Sequence, residues 1–213
     1  MIAAMRAFEE PPPHHRIAGL MGSAMVERLL ELALTREGEF VATRVGNGNG
    51  NGGLVNPSIR SSLLLRDFGE LRPELEARFT AVLDEVVRVL RLSPLRLHHL
   101  ELELVAHNEG AFYDEHIDTF TAQPDARSDR ALTGVYYFHR PPKAFSGGDL
   151  RLHAIAPAAD GTRHFTDIPP DQDMFVLFPS WVPHEVRKVS CPSGAFADSR
   201  FAINCWYRSG RGA

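Results

Sequence analysis

Ser199-Arg200-Phe201-Ala202-Ile203-Asn204-Cys205-Trp206-Tyr207 is the stretch from which the fold can be read. In an extended strand successive side chains point to opposite sides, so this run splits into two faces. Phe201, Ile203, Cys205 and Tyr207 share one face; Arg200, Ala202, Asn204 and Trp206 share the other. Both faces are largely apolar, which suits a strand inside a layered β structure. An arginine on the inner face of such a strand is costly unless an anion meets it, and its planar guanidinium suits a carboxylate.

Working outward, the chain after Pro94 consists of short strand-like runs separated by turn residues. Leu100, Leu102 and Leu104 alternate with Glu101 and Glu103; Leu132 to Phe138 is β-branched and aromatic; Leu150 and Leu152 follow Gly147-Gly148; Met174 to Phe178 is a buried-type run. Upstream the period changes. Apolar residues at helical spacing predict one helix over Ser23 to Arg36, with Ser23 as N-cap and Gly38 as stop, and a second over Leu71 to Leu90, with Pro73 in its first turn. Helices first and strands afterwards predict a mainly β fold with N-terminal helices, a sandwich or jelly roll whose helices pack on one outer face. The expected organisation is a flexible lead over 1–15, containing Pro11, Pro12, Pro13, His14 and His15, then a single domain over 16–213. Within it, helical support spans 16–93 and the β core 95–208. The Gly46 to Gly53 tract, alternating glycine and asparagine, reads as a flexible loop, either a surface insertion or a lid.

A chain of 213 residues, 44% hydrophobic and 23% charged, is long enough for one sizeable core. Its net charge of -4 and pI near 6.2 provide no basic field, which argues against nucleic acid or an anionic membrane surface as partner. The two cysteines, Cys191 and Cys205, form no paired motif, so a reducing compartment, the cytoplasm, is expected. The apolar start from Met1 to Met5 is too short for a signal segment, and no run reaches the roughly 18 apolar residues that cross a bilayer.

His116-Ile117-Asp118 places two potential ligands two residues apart, on one side of an extended chain. His184, well downstream in Phe178-Pro-Ser-Trp-Val-Pro-His184-Glu-Val, follows a buried-type strand. Two imidazoles and one carboxylate make the facial set that leaves open positions on iron(II), and zinc is the rival metal for the same three side chains. His98, His99, His139, His153 and His164 have no comparable partners and read as structural. One dicarboxylate could reach both the metal and Arg200.

Five pieces in this order resemble the prolyl 4-hydroxylase-like branch of the iron(II)/2-oxoglutarate oxygenases, which includes the oxygen-sensing prolyl hydroxylases. They are Gly110-Ala-Phe-Tyr113-Asp-Glu-His116-Ile-Asp118, Leu132-Thr-Gly-Val-Tyr-Tyr137-Phe, Gly147-Gly-Asp-Leu150, Pro183-His184-Glu-Val186 and Arg200-Phe-Ala-Ile-Asn-Cys-Trp206. The resemblance covers roughly Leu100 to Tyr207 and implies a double-stranded β-helix, the cupin-like jelly roll, with Fe(II), 2-oxoglutarate and O2 as cofactor and co-substrates and ascorbate as an accessory. It implies that His116, Asp118 and His184 hold iron, that Arg200 grips the distal carboxylate of 2-oxoglutarate with help from Tyr137, and that Leu150, Asn204 and Trp206 line the pocket. His107 stands where collagen-type relatives often have tyrosine. With Asp118 present, the implied reaction is hydroxylation of a prolyl peptide, amino acid or other small molecule. A non-oxygenase cupin-type metal enzyme, which would not need Arg200 and Tyr137 aimed at a dicarboxylate, and a silent metal-binding module are the rival classes.

Overall fold

Arg200–Gly210 forms β14, near the centre of a seven-stranded antiparallel sheet in the computed structural model, which describes residues 8–44, 55–119 and 128–210. The tract 46–53, with its two expected roles, lies outside the described residues. β14 is flanked by β7 (Ser128–Phe138) and β5 (Leu97–His107), with Ala202 opposite Tyr137 on one side and Val105 on the other. The sheet runs on through β11 (Met174–Pro179) to the edge strand β1 (His15–Ala18), and through β4 (Leu63–Leu65) to β2 (Val41–Ala42). A second sheet has five strands in the order β10 (Phe165–Ile168), β9 (Leu150–His153), β12 (His184–Val186), β6 (Phe112–His116) and β3 (Arg60–Ser61). β8 (Ser146–Gly147) and β13 (Val189–Ser190) pair as a short ribbon.

The two faces of β14 have separate uses, as their alternation predicts. Phe201, Ile203, Cys205 and Tyr207 join the core that the helices cover, together with Leu29, Leu75 and Phe79. Ala202 belongs to the core between the sheets, with Val135, Tyr137 and Phe178 from the larger sheet and Leu150 and Leu152 from the smaller. Each fully buried Leu or Phe contributes about 1.5–3 kcal/mol. The Tyr207 hydroxyl donates to the Phe79 carbonyl at 2.6 Å, so the strand is also joined to a helix by a satisfied polar tip.

Three helices follow the apolar spacing: α1 (Ser23–Thr35), α2 (Arg72–Ala81) and α3 (Leu83–Val89). Two details differ from expectation. Ser23 is not the N-cap of α1: Gly22 occupies that position, and the orphan amides of Met21 and Gly22 donate to the Asp173 carboxylate at 2.9 and 2.8 Å. Asp173 also accepts from the Tyr136 hydroxyl at 2.8 Å, so a distant turn fixes the backbone that leads into the helix, while no side chain caps its first turn. The helix ends at Arg36, before Gly38. The second expected helix is interrupted at Val82 (φ −91°, ψ −5°), and Phe79 before the break and Leu83 after it are both buried in the core. The lead is shorter than 1–15: His15 already pairs with Leu177 as part of β1, and the Phe8 carbonyl accepts from Ala156 N–H at 2.9 Å. Main-chain hydrogen bonding to an open sheet edge outweighs the local proline bias.

Candidate active site

β6 and β12 are neighbours, and their register places His116 directly opposite His184. The register then slips: Val186 pairs with Tyr113, so Asp114 and Glu115 together oppose the single residue Glu185. This bulge changes the alternation of β6, and Tyr113 and His116 come to lie on the same side with their rings stacked at 3.6 Å and 21°. Just beyond β6, Asp118 N–H donates to the Ser180 carbonyl at 2.9 Å, which holds the carboxylate beside the histidines.

His116 Nε2 is 3.8 Å from one Asp118 oxygen and His184 Nε2 is 3.5 Å from the other. One ligand atom from each residue can be chosen so that all lie within 4.8 Å of one another. The proton positions follow from the hydrogen bonds. His116 Nδ1 lies 2.8 Å from the Asp114 carbonyl and His184 Nδ1 2.8 Å from the Val182 carbonyl. A carbonyl only accepts, so each Nδ1 carries the hydrogen and each Nε2 presents a lone pair to the centre. Burial, then the neighbouring His184, pushes the His116 pKa well below its ordinary value. Burial alone would raise that of Asp118; His184, His116 and Arg130 outweigh it and lower it. Neutral imidazoles and an ionised carboxylate are the forms that bind a divalent metal. Thr133 Oγ donates to Asp118 at 2.8 Å and lies 2.9 Å from Ser180 Oγ, which fixes the carboxylate.

The opposite end of the same interior holds Arg200, 1% exposed, with its guanidinium carbon 4.8 Å from the centre of the Tyr137 ring. Among the described residues Arg200 Nε and Nη2, the Tyr137 hydroxyl, His107 Nε2 and Trp206 Nε1 are buried without a hydrogen-bond partner. Arg200 Nη1 lies 3.3 Å from His107 Nδ1. Arginine only donates, so Nδ1 must be the bare nitrogen and the hydrogen of His107 sits on the unpartnered Nε2. Burial, then Arg200 and Arg60, drives the His107 pKa well below its ordinary value, consistent with a neutral ring. Gly148 (φ +72°) leaves this room: a Cβ there would come within 2.6 Å of Arg200 Cδ.

Unpaired donors around a buried cation are expensive, and a carboxylate filling them removes the cost. The unpartnered donors of Arg200, Tyr137 and His107 therefore fit a bound carboxylate. Of the remaining pocket residues named from the sequence, Leu150 packs in the core between the sheets. Asn204 and Trp206 lie on the Arg200 face of β14, Trp206 stacked under Arg130 at 3.6 Å. The histidines read as structural are not grouped with the triad: His98 faces His99, and His153, whose backbone N–H donates to the Pro183 carbonyl, has its ring 3.3 Å from Glu185.

Thr133, Ser180, Tyr113 and Arg60 were not singled out from the sequence as site residues. Thr133 shares its alternation with Tyr137, and a hydroxyl on an inner face was a readable signal. Tyr113 was hidden by the bulge. Arg60, 8% exposed, lies opposite Tyr113 in the β3–β6 register, its guanidinium carbon 4.6 Å from the Tyr113 ring centre.

Comparison with known proteins agrees with this geometry. Residues 102–208 match the model of the 2OG-Fe(II) oxygenase superfamily. An uncharacterized PKHD-type hydroxylase of Synechocystis is 40% identical over 148 residues, covering 66% of this chain and 48% of its own length, so the chain spans about half of that curated relative. Among solved structures, a prolyl-4-hydroxylase of Pseudomonas putida superposes with a TM-score of 0.64 at 24% identity, covering 100% of both chains. A Trichoplax adhaerens prolyl hydroxylase, solved with a hypoxia-inducible-factor peptide fragment, gives 0.64 at 22% identity over 92% of this chain and 83% of that one. These likenesses identify the two facing sheets as a double-stranded β-helix. Together with the matched region, which contains all three triad residues and Arg200, they place the chain in the 2OG-Fe(II) oxygenase superfamily.

Proposed function

We propose that this chain is an iron(II)- and 2-oxoglutarate-dependent dioxygenase that hydroxylates a prolyl peptide, an amino acid or a related small substrate, releasing succinate and CO2. The observation that carries the reading is the set of buried, unsatisfied donors on Arg200, Tyr137 and His107 in the same interior as the triad. A zinc hydrolase would use the triad but would leave those donors unpaired, so the oxygenase reading is the better supported.

In this proposal His116, Asp118 and His184 hold the metal, which when bound supplies the activation of O2 that C–H hydroxylation needs. Arg200 forms the main ion pair with the distal carboxylate of 2-oxoglutarate. Tyr137 and His107 donate to it, and Leu150 walls the pocket. Trp206 and Asn204 border the metal end. Thr133 and Ser180 keep the Asp118 carboxylate in its ligating orientation, and the Asp114 and Val182 carbonyls keep both imidazole lone pairs inward. Two buried free thiols suit a reducing compartment, and the cytoplasm is the proposed location. No helix among the described residues is long and apolar enough to cross a membrane.

Succinate formation from 2-oxoglutarate under air, with added iron(II) and ascorbate, tests the reading. The wild-type protein should release succinate, whereas His116→Ala and Asp118→Ala should release none while keeping the wild-type circular dichroism spectrum. Absence of turnover in the wild type, or wild-type turnover in either variant, refutes it.

A further inference from the structure

Arg60 is a second buried cation beside the site, and the oxygenase mechanism leaves it unused. It lies on the inner side of the smaller sheet, opposite Tyr113, which in turn stacks on His116. The stack occupies the flat face of the guanidinium and leaves its N–H edge available, the geometry in which arginine takes a carboxylate bidentately. Among the described residues the only side-chain hydrogen bond of Arg60 runs from Nε to Ser62 Oγ at 3.2 Å, and its guanidinium has no ion pair.

The nearby acids are already committed. Glu103 holds Arg66 at 2.6 Å, Glu101 holds Arg130 at 2.5 Å, and Asp118 belongs to the triad. A divalent metal, Asp118, a dicarboxylate co-substrate and Arg200 together carry no net charge, so Arg60 is left as an uncompensated positive charge in a low-dielectric interior. Burial also makes its charged form costly, lowering its pKa against the pull of Tyr113, Glu103 and Asp118. An incoming anion would relieve that cost. At the rim, Ile117 and Trp181 are exposed, although they directly adjoin Asp118 and Ser180, whose backbones hydrogen-bond to each other. An apolar substrate body would cover them.

We propose that Arg60 anchors a carboxylate of the primary substrate, so that the molecule hydroxylated is a free acid with an apolar body, such as an apolar amino acid, rather than an uncharged internal peptide segment. This rests on the oxygenase reading above. An acid held at Arg60 would lie along the Tyr113–His116 stack, with its body directed to the metal side.

The test uses full-length protein with 15N-labelled arginine, loaded with zinc as a diamagnetic stand-in for iron and with 2-oxoglutarate. The side-chain N–H signals of Arg60 and Arg200 are assigned through Arg60→Lys and Arg200→Lys, and the loaded protein is titrated with propionate or with propionamide. Addition of 2-oxoglutarate should shift the Arg200 signal. Propionate should then shift Arg60 saturably, and propionamide should bind at least roughly tenfold more weakly, a difference of about 1.4 kcal/mol. Arg60→Gln should abolish the preference for the acid. Arg60→Lys, which keeps the charge, should bind propionate more weakly while still preferring it to the amide. An Arg60 signal untouched by propionate while Arg200 responds to 2-oxoglutarate overturns the proposal alone, as does equal binding of acid and amide. An Arg200 signal untouched by 2-oxoglutarate overturns the oxygenase reading, and this proposal with it.

Discussion

Replacing Arg200 by methionine removes a buried cation and keeps much of its volume, and its effect on stability should change sign with the co-substrate. Without 2-oxoglutarate, Arg200 Nε and Nη2 have no acceptor. Each unsatisfied buried donor costs about 1–3 kcal/mol, so removing both returns ~2–6 kcal/mol. Against this, the variant loses the Nη1–His107 hydrogen bond, about 1 kcal/mol, and the contact over Tyr137, about 0.5–2 kcal/mol. The balance favours Arg200→Met by ~2 kcal/mol, in line with buried ions that give way to apolar residues without loss. With co-substrate the order inverts. At about 100 times its dissociation constant a ligand adds ~2.7 kcal/mol to the wild type. Loss of the buried charge pair weakens binding by about 2–5 kcal/mol, which removes most or all of that gain from the variant. Urea unfolding of both proteins with Mn(II), in the absence of air and with or without 2-oxoglutarate, measures all four stabilities. A variant less stable than wild type without ligand, or one that still gains the wild-type increment with it, would refute the reasoning.

Thr133→Val keeps the shape of the strand but takes the hydroxyl from Asp118 Oδ2; metal affinity, measured by calorimetry, should fall about 10–100-fold with the fold intact, and unchanged affinity would mean that Ser180 O–H suffices. A second expectation concerns acid. His107 is held neutral by burial and by Arg200 and Arg60, so its folded pKa lies well below its ordinary 6.5. As pH falls below that value the unfolded chain takes up a proton that the folded protein refuses, and stability declines by up to about 1.4 kcal/mol per pH unit for this residue. His107→Gln should flatten the loss of stability of the metal-free protein between about pH 6.5 and 5, leaving a smaller slope to which His116 contributes in the same direction. Identical slopes in the two proteins would show that His107 is already charged in the fold.

The parts of the molecule governed by a fixed period could be read from the chain. Alternation assigned Arg200, Ala202, Asn204 and Trp206 to the interior, and the three-and-four spacing of Leu75, Phe79, Leu83 and Val86 assigned a buried helical face. The triad could be assembled because His116, Asp118 and His184 adjoin buried runs in an order that resembles known oxygenases. What stayed hidden depends on partners far along the chain or on a break in the period. Asp173 holds the backbone that enters α1 from a point far along the chain, where a local reading could see only Ser23. β1 forms because β11 offers it an edge, against the bias of three prolines nearby. Tyr113 was out of reach because alternation counted back from His116 puts it on the wrong side. Arg60 looked like one more arginine among small residues; its significance lies in a missing partner, and absence of a contact has no signature in sequence.

The carbonyl that receives the His116 Nδ1 hydrogen belongs to Asp114, one of the two residues in the bulge, and the carbonyl that receives that of His184 belongs to Val182. Both are main-chain atoms two positions before the ring they orient. The placement of these two hydrogens is therefore a property of the path of the chain and not of any side chain that mutation could exchange. The exposed position 114 is free to vary in side-chain chemistry, and the buried Val182 is constrained by packing alone; in both places the lone pairs keep pointing inward, and only a change in backbone course would turn them away. Evolution can thus revise the surroundings of the metal residue by residue without disturbing the tautomers on which metal capture depends.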